Sequence, residues 1–305
     1  MKGLLKKIQS VEKRELLLSW AFLGPALFFL ITFVFVPMLF AFYYSLCEYS
    51  GYEPPKFIGL DNFRVVFQEP IFRTALVNSV IYLLVTPVLI FISILLAILV
   101  NQKLPAIHFF RVAYYIPVIT PVVVTGIVWG QIFAVDTGML NEILDSWFNI
   151  RIPFLTAGRA SLIPPMFVTI WRGMGYYMII FLAALQGIPT QLLEAAKIDG
   201  AGTFREIINI KIPLLRPAIV LVSVISSINA LRIFEEVFIM LGPTGGVGHQ
   251  ATTAVVRIYE VSFGGRIIPQ LGEASAMAVV LFALILVLSL INYFVTSRTG
   301  YQGEV

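Results

Sequence analysis

Long uncharged runs dominate the chain, and short clusters of charge, Gly and Pro separate them. No Asp, Glu, Lys or Arg lies between Glu15 and Glu48, between Arg73 and Lys103, between Arg111 and Asp136, or between Glu273 and Arg298. Each run exceeds the roughly 20 residues that cross about 30 Å of hydrocarbon as a helix. Two further apolar segments, about 162–185 and 214–241, carry charge inside them: Arg172 in the first, and Arg232, Glu235 and Glu236 in the second. Both are long enough to span, and Pro164, Pro189, Pro213 and Gly242 bound them. None of these runs alternates apolar and polar residues as the strands of a membrane barrel do. The pattern predicts an all-α membrane protein of six transmembrane helices, over about 16–45, 74–101, 108–134, 162–186, 214–241 and 273–297. The whole chain, 1–305, then forms a single membrane domain.

Composition agrees with that reading. Of 305 residues, 59% are hydrophobic and only 12% charged, where a soluble domain has about 25% charged. A soluble fold could not cover its surface with so little charge. The net charge of +4 is spread along the chain, with no arginine-rich run or zinc spacing, so no nucleic-acid partner is expected. The single cysteine, Cys47, cannot form an internal disulfide. With two histidines, His108 and His249, metal or redox chemistry is not indicated; all three suit packing or surface roles.

The charge distribution also predicts orientation. Six spans put both termini on one side, which carries 12 Lys/Arg, among them Lys2, Lys6, Lys7, Lys13, Arg14 and Lys103. The opposite loops carry 7, including Arg257 and Arg266. Cytoplasmic loops hold the excess of Lys and Arg, so both termini are expected in the cytoplasm. The first uncharged run of 32 residues is too long for a signal-peptide core and reads as a retained anchor.

The loop between the two charge-bearing spans, 189–213, carries a distinctive pattern. Leu193, Ala196, Phe204, Ile207 and Ile208 recur at helical spacing beside Glu194, Lys197, Arg205 and Glu206, and Asp199-Gly200-Ala201-Gly202 interrupts them. Two short amphipathic helices meeting at a glycine bend are predicted, with Thr190 a candidate N-cap. Such a pair can lie on lipid, pack on the bundle, or dock a soluble partner. Glu194-Ala195-Ala196, Gly200, Ile210 and Pro213 resemble the EAA loop of ABC-importer permeases, with Ile212 where that pattern has Leu. Further likeness to the carbohydrate (maltose and glycerol-phosphate type) permeases lies in Gly59-Leu60-Asp61-Asn62-Phe63, Phe110-Arg111 with Pro117, Trp129…Phe133…Gly138…Asn141, and Trp171, Gly175 and Ile188-Pro189. Gly242-Pro243-Thr244-Gly245-Gly246 departs from the T-x-G-G-P common there.

This resemblance implies a type I ABC-importer permease fold in a prokaryotic inner membrane. It implies pairing with a second homologous permease subunit, docking of the EAA loop on a cytoplasmic ATPase dimer, and delivery of a sugar, oligosaccharide or polyol by an extracytoplasmic solute-binding protein. Glu194, Ala195, Ala196, Gly200 and Pro213 would form the coupling contact. No G-x-x-x-x-G-K-[ST] loop occurs in the chain, so the chain is not itself expected to be an enzyme or to hold a cofactor; ATP and magnesium would belong to the partner ATPase.

Charge inside a span costs about 2.5–3.5 kcal/mol on insertion scales. Arg232 precedes Glu235 by three residues and Glu236 by four, so one helical face can pair them. Either this is an intrahelical salt bridge, or Asn229, Arg232 and Glu235 line a solute pathway. Arg172, Gly173 and Tyr176 are candidates for the same pathway, because residues of this stretch and of mid-span five contact substrate in the resembling permeases. Trp171 and Tyr177 suit interfacial anchoring. An ion-gradient-driven secondary transporter, an importer permease for a non-sugar solute, and an intramembrane enzyme using Glu235 and Glu236 are the competing readings. The last is the weakest, since adjacent helical side chains point about 100° apart.

Overall fold

A computed structural model describes residues 18–102, 106–264 and 268–298. Lys2, Lys6, Lys7, Lys13, Arg14, Lys103 and Arg266, which entered the orientation argument, lie outside these. Five helices are long and apolar enough to cross a membrane among the described residues: α1 (Leu18–Ser45), α3 (Pro70–Val100), α7 (Ile163–Gln186), a broken fifth span (Arg216–Leu241) and α13 (Leu271–Arg298). A bent pair, α4 (Ile107–Ile119) and α5 (Val122–Ile132), supplies a sixth. Short helices decorate the ends: α2 (Asp61–Gln68) and α6 (Met139–Phe148) on one side with α12 (Ala254–Phe263), α8 (Thr190–Ile198) and α9 (203–214) on the other.

The third span differs from the straight helix expected over 108–134. Its halves meet at 94°. Pro121 lacks an amide hydrogen and drives Thr120 out of the helical region, to φ −72° and ψ 129°. Helix α4 therefore stops and α5 restarts in a new direction. Pro117, inside α4, does not break it.

The fifth span is broken where the sequence has neither Gly nor Pro. Helix α10 (Arg216–Leu231) ends at Arg232, and α11 (Glu235–Leu241) begins after Phe234 at φ −137° and ψ −60°. The freed Ile233 carbonyl accepts a hydrogen bond from the Thr253 hydroxyl at 3.1 Å. Tertiary contacts thus hold a break that local propensity does not demand.

Two prolines enter helices behind a widened turn. A π turn over Ile31–Phe35 precedes Pro37, and another over Ile207–Lys211 precedes Pro213. In each, the residue before the proline donates its N–H five residues back, Val36 to Ile31 and Ile212 to Ile207. The wide turn takes up the missing hydrogen bond and the ring clash without a sharp kink.

Helix α7 lies at the centre, packed on α3, α4, α5, α10 and α11. The main core sits there, around Tyr82, Val85, Tyr177, Met178, Phe181, Leu215 and Val237. Gly175 lets α4 approach α7: a Cβ there would overlap the Tyr114 carbonyl. A second cluster joins α2, α3, α12 and α13 around Phe72, Val261 and Met277. Asn62 of the sequence's G-x-x-N-F pattern explains its own place. Its amide donates to the carbonyls of Ser45 (3.0 Å) and Cys47 (2.8 Å), satisfying the open end of α1 beside a two-residue strand pair, β1 (Cys47–Glu48) with β2 (Lys56–Phe57). Replacing Gly175 with Val should cost about 1–3 kcal/mol through overpacking. Thermal unfolding of the purified complex in detergent measures it, and Gly130→Val, where a Cβ meets open space, should fall close to the native protein.

Candidate functional site

An open cavity of about 480 Å³ lies between α3, α7, α10 and α11. Arg172, Gly173 and Tyr176 enter it from α7; Asn229, Arg232 and Glu235 enter from the break in the fifth span. All six pathway candidates from the sequence therefore converge on one space. Tyr176, Asn229, Arg232 and Glu235 are exposed within it. Val85 and Leu89 of α3 and Ile225 of α10 supply apolar wall.

The charge pairing differs from the intrahelical salt bridge considered above. Glu236, 4% exposed, accepts a hydrogen bond from Arg172 Nη1 at 2.7 Å, across from α11 to α7. Arg232 caps α10 on the far side of the break and has no carboxylate within ion-pair distance among the described residues. The break removes the helical register that would have stacked Arg232 on Glu235 and Glu236. Both glutamates instead occupy the first turn of α11, where the helix dipole favours negative charge. Nearby, the Tyr82 and Thr169 hydroxyls share a hydrogen bond at 2.8 Å, and Asn229 donates to the Tyr177 hydroxyl at 3.4 Å.

The aromatic residues expected as interfacial anchors lie within the protein. Tyr177 is buried in the main core, its ring 5.2 Å from that of Tyr176 and edge-on to it. Trp171 packs edge-on against Trp129 at 5.6 Å, in a stack continued by Phe167 and Phe133. The stack joins the far end of α5 to α7.

Residues 189–213 form the two short helices expected, α8 and α9, joined at Gly200 with φ +78°. That left-handed value favours glycine. Thr190 is the first helical residue and not the cap: Pro189 takes that position, with no side-chain hydrogen bond. Glu194, Ala195 and Gly200 are exposed, while Ala196 and Pro213 are half-buried. Leu193 packs back on the core. Ile198 and Phe204 stand out from the surface, and Lys211 pairs with Glu206 at 2.7 Å across the second π turn.

A second polar network, beside α12, escaped the sequence reading. Arg257, 5% exposed, pairs with Glu69 at the start of α3 and with Glu260 at 2.6 Å. His249, assigned above to packing or surface, pairs with Glu260 at 2.9 Å. Burial pushes the Glu260 carboxyl upward, but hydrogen bonds from His249 and Arg257 outweigh it and hold the carboxyl below its usual range. Asn78 of α3 donates to the carbonyls of Gln250 (2.9 Å) and Thr252 (2.7 Å), and the Ser79 hydroxyl accepts the Ala254 N–H at 2.9 Å. The segment between the fifth and sixth spans is thereby fastened to α3. The signal was only two isolated polar residues, Asn78 and Ser79, inside an apolar run.

Residues 66–301 match the family described as binding-protein-dependent transport system inner membrane component. The chain belongs to this family. It is a multi-pass permease of the inner membrane, the component of such a system that crosses the bilayer. Over 93% of its length this permease is 32% identical to the diacetylchitobiose uptake system permease protein NgcF of Streptomyces coelicolor, covering 84% of that protein. It is 33% identical to the arabinooligosaccharides transport system permease protein AraP of Bacillus subtilis, over 93% of this chain and 90% of the other. It is 30% identical to a probable starch degradation products permease, AmyD, of Thermoanaerobacterium thermosulfurigenes, over 92% and 94%. Its fold matches a chain of a bacterial ABC transporter that imports the acidic polysaccharide alginate, with TM-score 0.81 and 24% identity over 96% of this permease and 99% of that chain.

Removing either partner of Arg172–Glu236 leaves a desolvated charge. Arg172→Leu or Glu236→Leu should each cost about 3–5 kcal/mol, whereas replacing both with Leu should recover most of it in a thermal-unfolding cycle. For Glu260 the lowered pKa fixes the sign: its contribution is full above the ordinary glutamate value of about 4.3 and is lost as pH falls through the folded value. Limited proteolysis of 242–264 should therefore accelerate only below about pH 4, and Glu260→Gln should remove that dependence.

Proposed function

We propose that this permease carries a sugar, oligosaccharide or related polyol inward, delivered by an extracytoplasmic solute-binding protein. The observation that carries the reading is that saccharide permeases share about a third of their residues with this chain across more than nine-tenths of its length. The cavity suits such a cargo. Asn229, Arg232 and Glu235 offer donors and acceptors to hydroxyls, and the Tyr176 ring offers an apolar face. With Arg172 engaged by Glu236, the Arg232 guanidinium and the Glu235 carboxylate are the charges left facing the space.

In this reading the termini and the α8–α9 segment are cytoplasmic, following the Lys/Arg bias. Two permeases enclose the pathway, this chain and a homologous second subunit. Helices α8 and α9 dock on an ATPase dimer, which binds ATP and magnesium and performs the hydrolysis. Glu194 is exposed for a polar contact, Ile198 and Phe204 present apolar surface, and Gly200 supplies the bend. Pro213 lies where α9 meets α10, so displacement of the docked segment would be passed along the chain toward the break beside the cavity.

Uptake of labelled saccharides by the reconstituted complex tests the assignment. Tyr176→Ala and Arg232→Ala should each lower transport at least tenfold while the complex still assembles; normal rate and affinity in both would remove them from the pathway. Glu194→Arg and Gly200→Val should release the ATPase or abolish substrate-stimulated hydrolysis. Co-purification with full stimulation would exclude that coupling role. Uptake by this chain alone, driven by a proton or sodium gradient, would replace the reading altogether.

A further inference from the structure

We propose that α6 is an interfacial helix that seats the apolar stripe Met139–Ile143–Trp147 in the headgroup layer of the bilayer, on the side opposite the coupling segment. Helix α6 is ten residues long and amphipathic. The three stripe residues recur every four positions, so they share one face. They are 58%, 44% and 76% exposed. Glu142 and Ser146, also exposed, run along one edge of the stripe. Leu140, beside Trp147 at the inner edge of the stripe, packs on the cluster of Phe133, Val168 and Met240, and the opposite face carries the buried Asn141.

The helix cannot swing away from the membrane. Gly138 permits a tight exit from α5, since a Cβ there would overlap the Ala134 carbonyl. Asn141, 1% exposed, then ties both ends of the connection. It donates to the carbonyls of Ala134 and Ile152 at 3.0 Å each and accepts the Ile152 N–H at 2.8 Å. Asn149, in the left-handed region at φ 55°, ends the helix. These contacts give physical roles to Gly138 and Asn141.

Position selects the occupant. Helix α6 begins seven residues after α5 ends and leads back into α7, and both neighbours cross the hydrocarbon. The stripe thus sits between two segments apolar enough to enter the membrane. Trp collects at headgroup level, with its apolar body buried and its N–H wet. The polar edge carries Glu142 and an Asp145–Arg151 pair at 2.9 Å, with no excess of cations. Apolar insertion, and not attraction to anionic lipid, therefore supplies the binding.

The assembled transporter, in phosphatidylcholine vesicles with or without chains brominated near the headgroup, tests this. The signal of Trp147 is the emission of the native complex minus that of Trp147→Phe. Bromination should at least halve it, and added solute-binding protein should leave the quenching unchanged. Emission indifferent to bromination would overturn the proposal, as burial against the second permease would produce. Quenching lost once the binding protein docks would assign the stripe to that protein and overturn it equally. If Trp147→Phe fails to assemble, a spin label on Ile143→Cys decides, because Cys47 is buried. Collision with a lipid-soluble relaxant supports insertion; collision with a water-soluble one refutes it.

Discussion

Inside hydrocarbon, a polar group that leaves a helix has no water to receive it, and the protein must supply every partner. That constraint organises this permease. The fifth span is open at Arg232-Ile233-Phe234, and partners for the opening come from elsewhere in the fold. Thr253 reaches the Ile233 carbonyl, Arg172 neutralises Glu236, and the start of α11 accommodates both glutamates. The segment that brings Thr253 there is itself held by Asn78 and Ser79 of α3. The cavity exists because those partners are already in place. Its walls are spans, and its polar contents come from α7 and from the break in the fifth span.

Much of this was legible in the chain. The uncharged runs located the membrane segments, and the interrupted spans pointed to the residues that meet at the cavity. The alternation around Gly200 anticipated α8 and α9. Failure came where a tertiary partner decides the outcome. Nothing local marks 232–234 as a break, since neither Gly nor Pro stands there; it follows from Arg172, some sixty positions earlier, and Thr253, twenty later. Pairing Arg232 with Glu235 assumed an unbroken helical phase. Conversely, Pro121 was a local signal that the absence of charge obscured. An uncharged run says that a segment can enter lipid, not that it crosses straight.

The side of the fold opposite α8 and α9 shows how the short connections become structural. Asn62 closes the end of α1, Asn141 clasps the connection around α6, and Asn78 fastens the segment before α12. An asparagine amide donates two hydrogen bonds while its oxygen accepts others, so one buried side chain can bind two strands of irregular backbone. The Arg257–Glu69–Glu260–His249 network adds charge-assisted bonds at the same level.

The two π turns carry a consequence for comparing such chains. A wide turn takes in one more residue than an α turn while advancing the helix little, so the side chains beyond Lys211 are rotated by one position relative to those before Ile207. The faces of the segment before Ile207 and those of α10 beyond it therefore follow two different helical phases. Aligned by residue number, a relative with an ordinary turn here would match faces before Ile207 and mismatch faces beyond Lys211. Its true correspondence requires a one-residue gap inside an apparently unbroken helix.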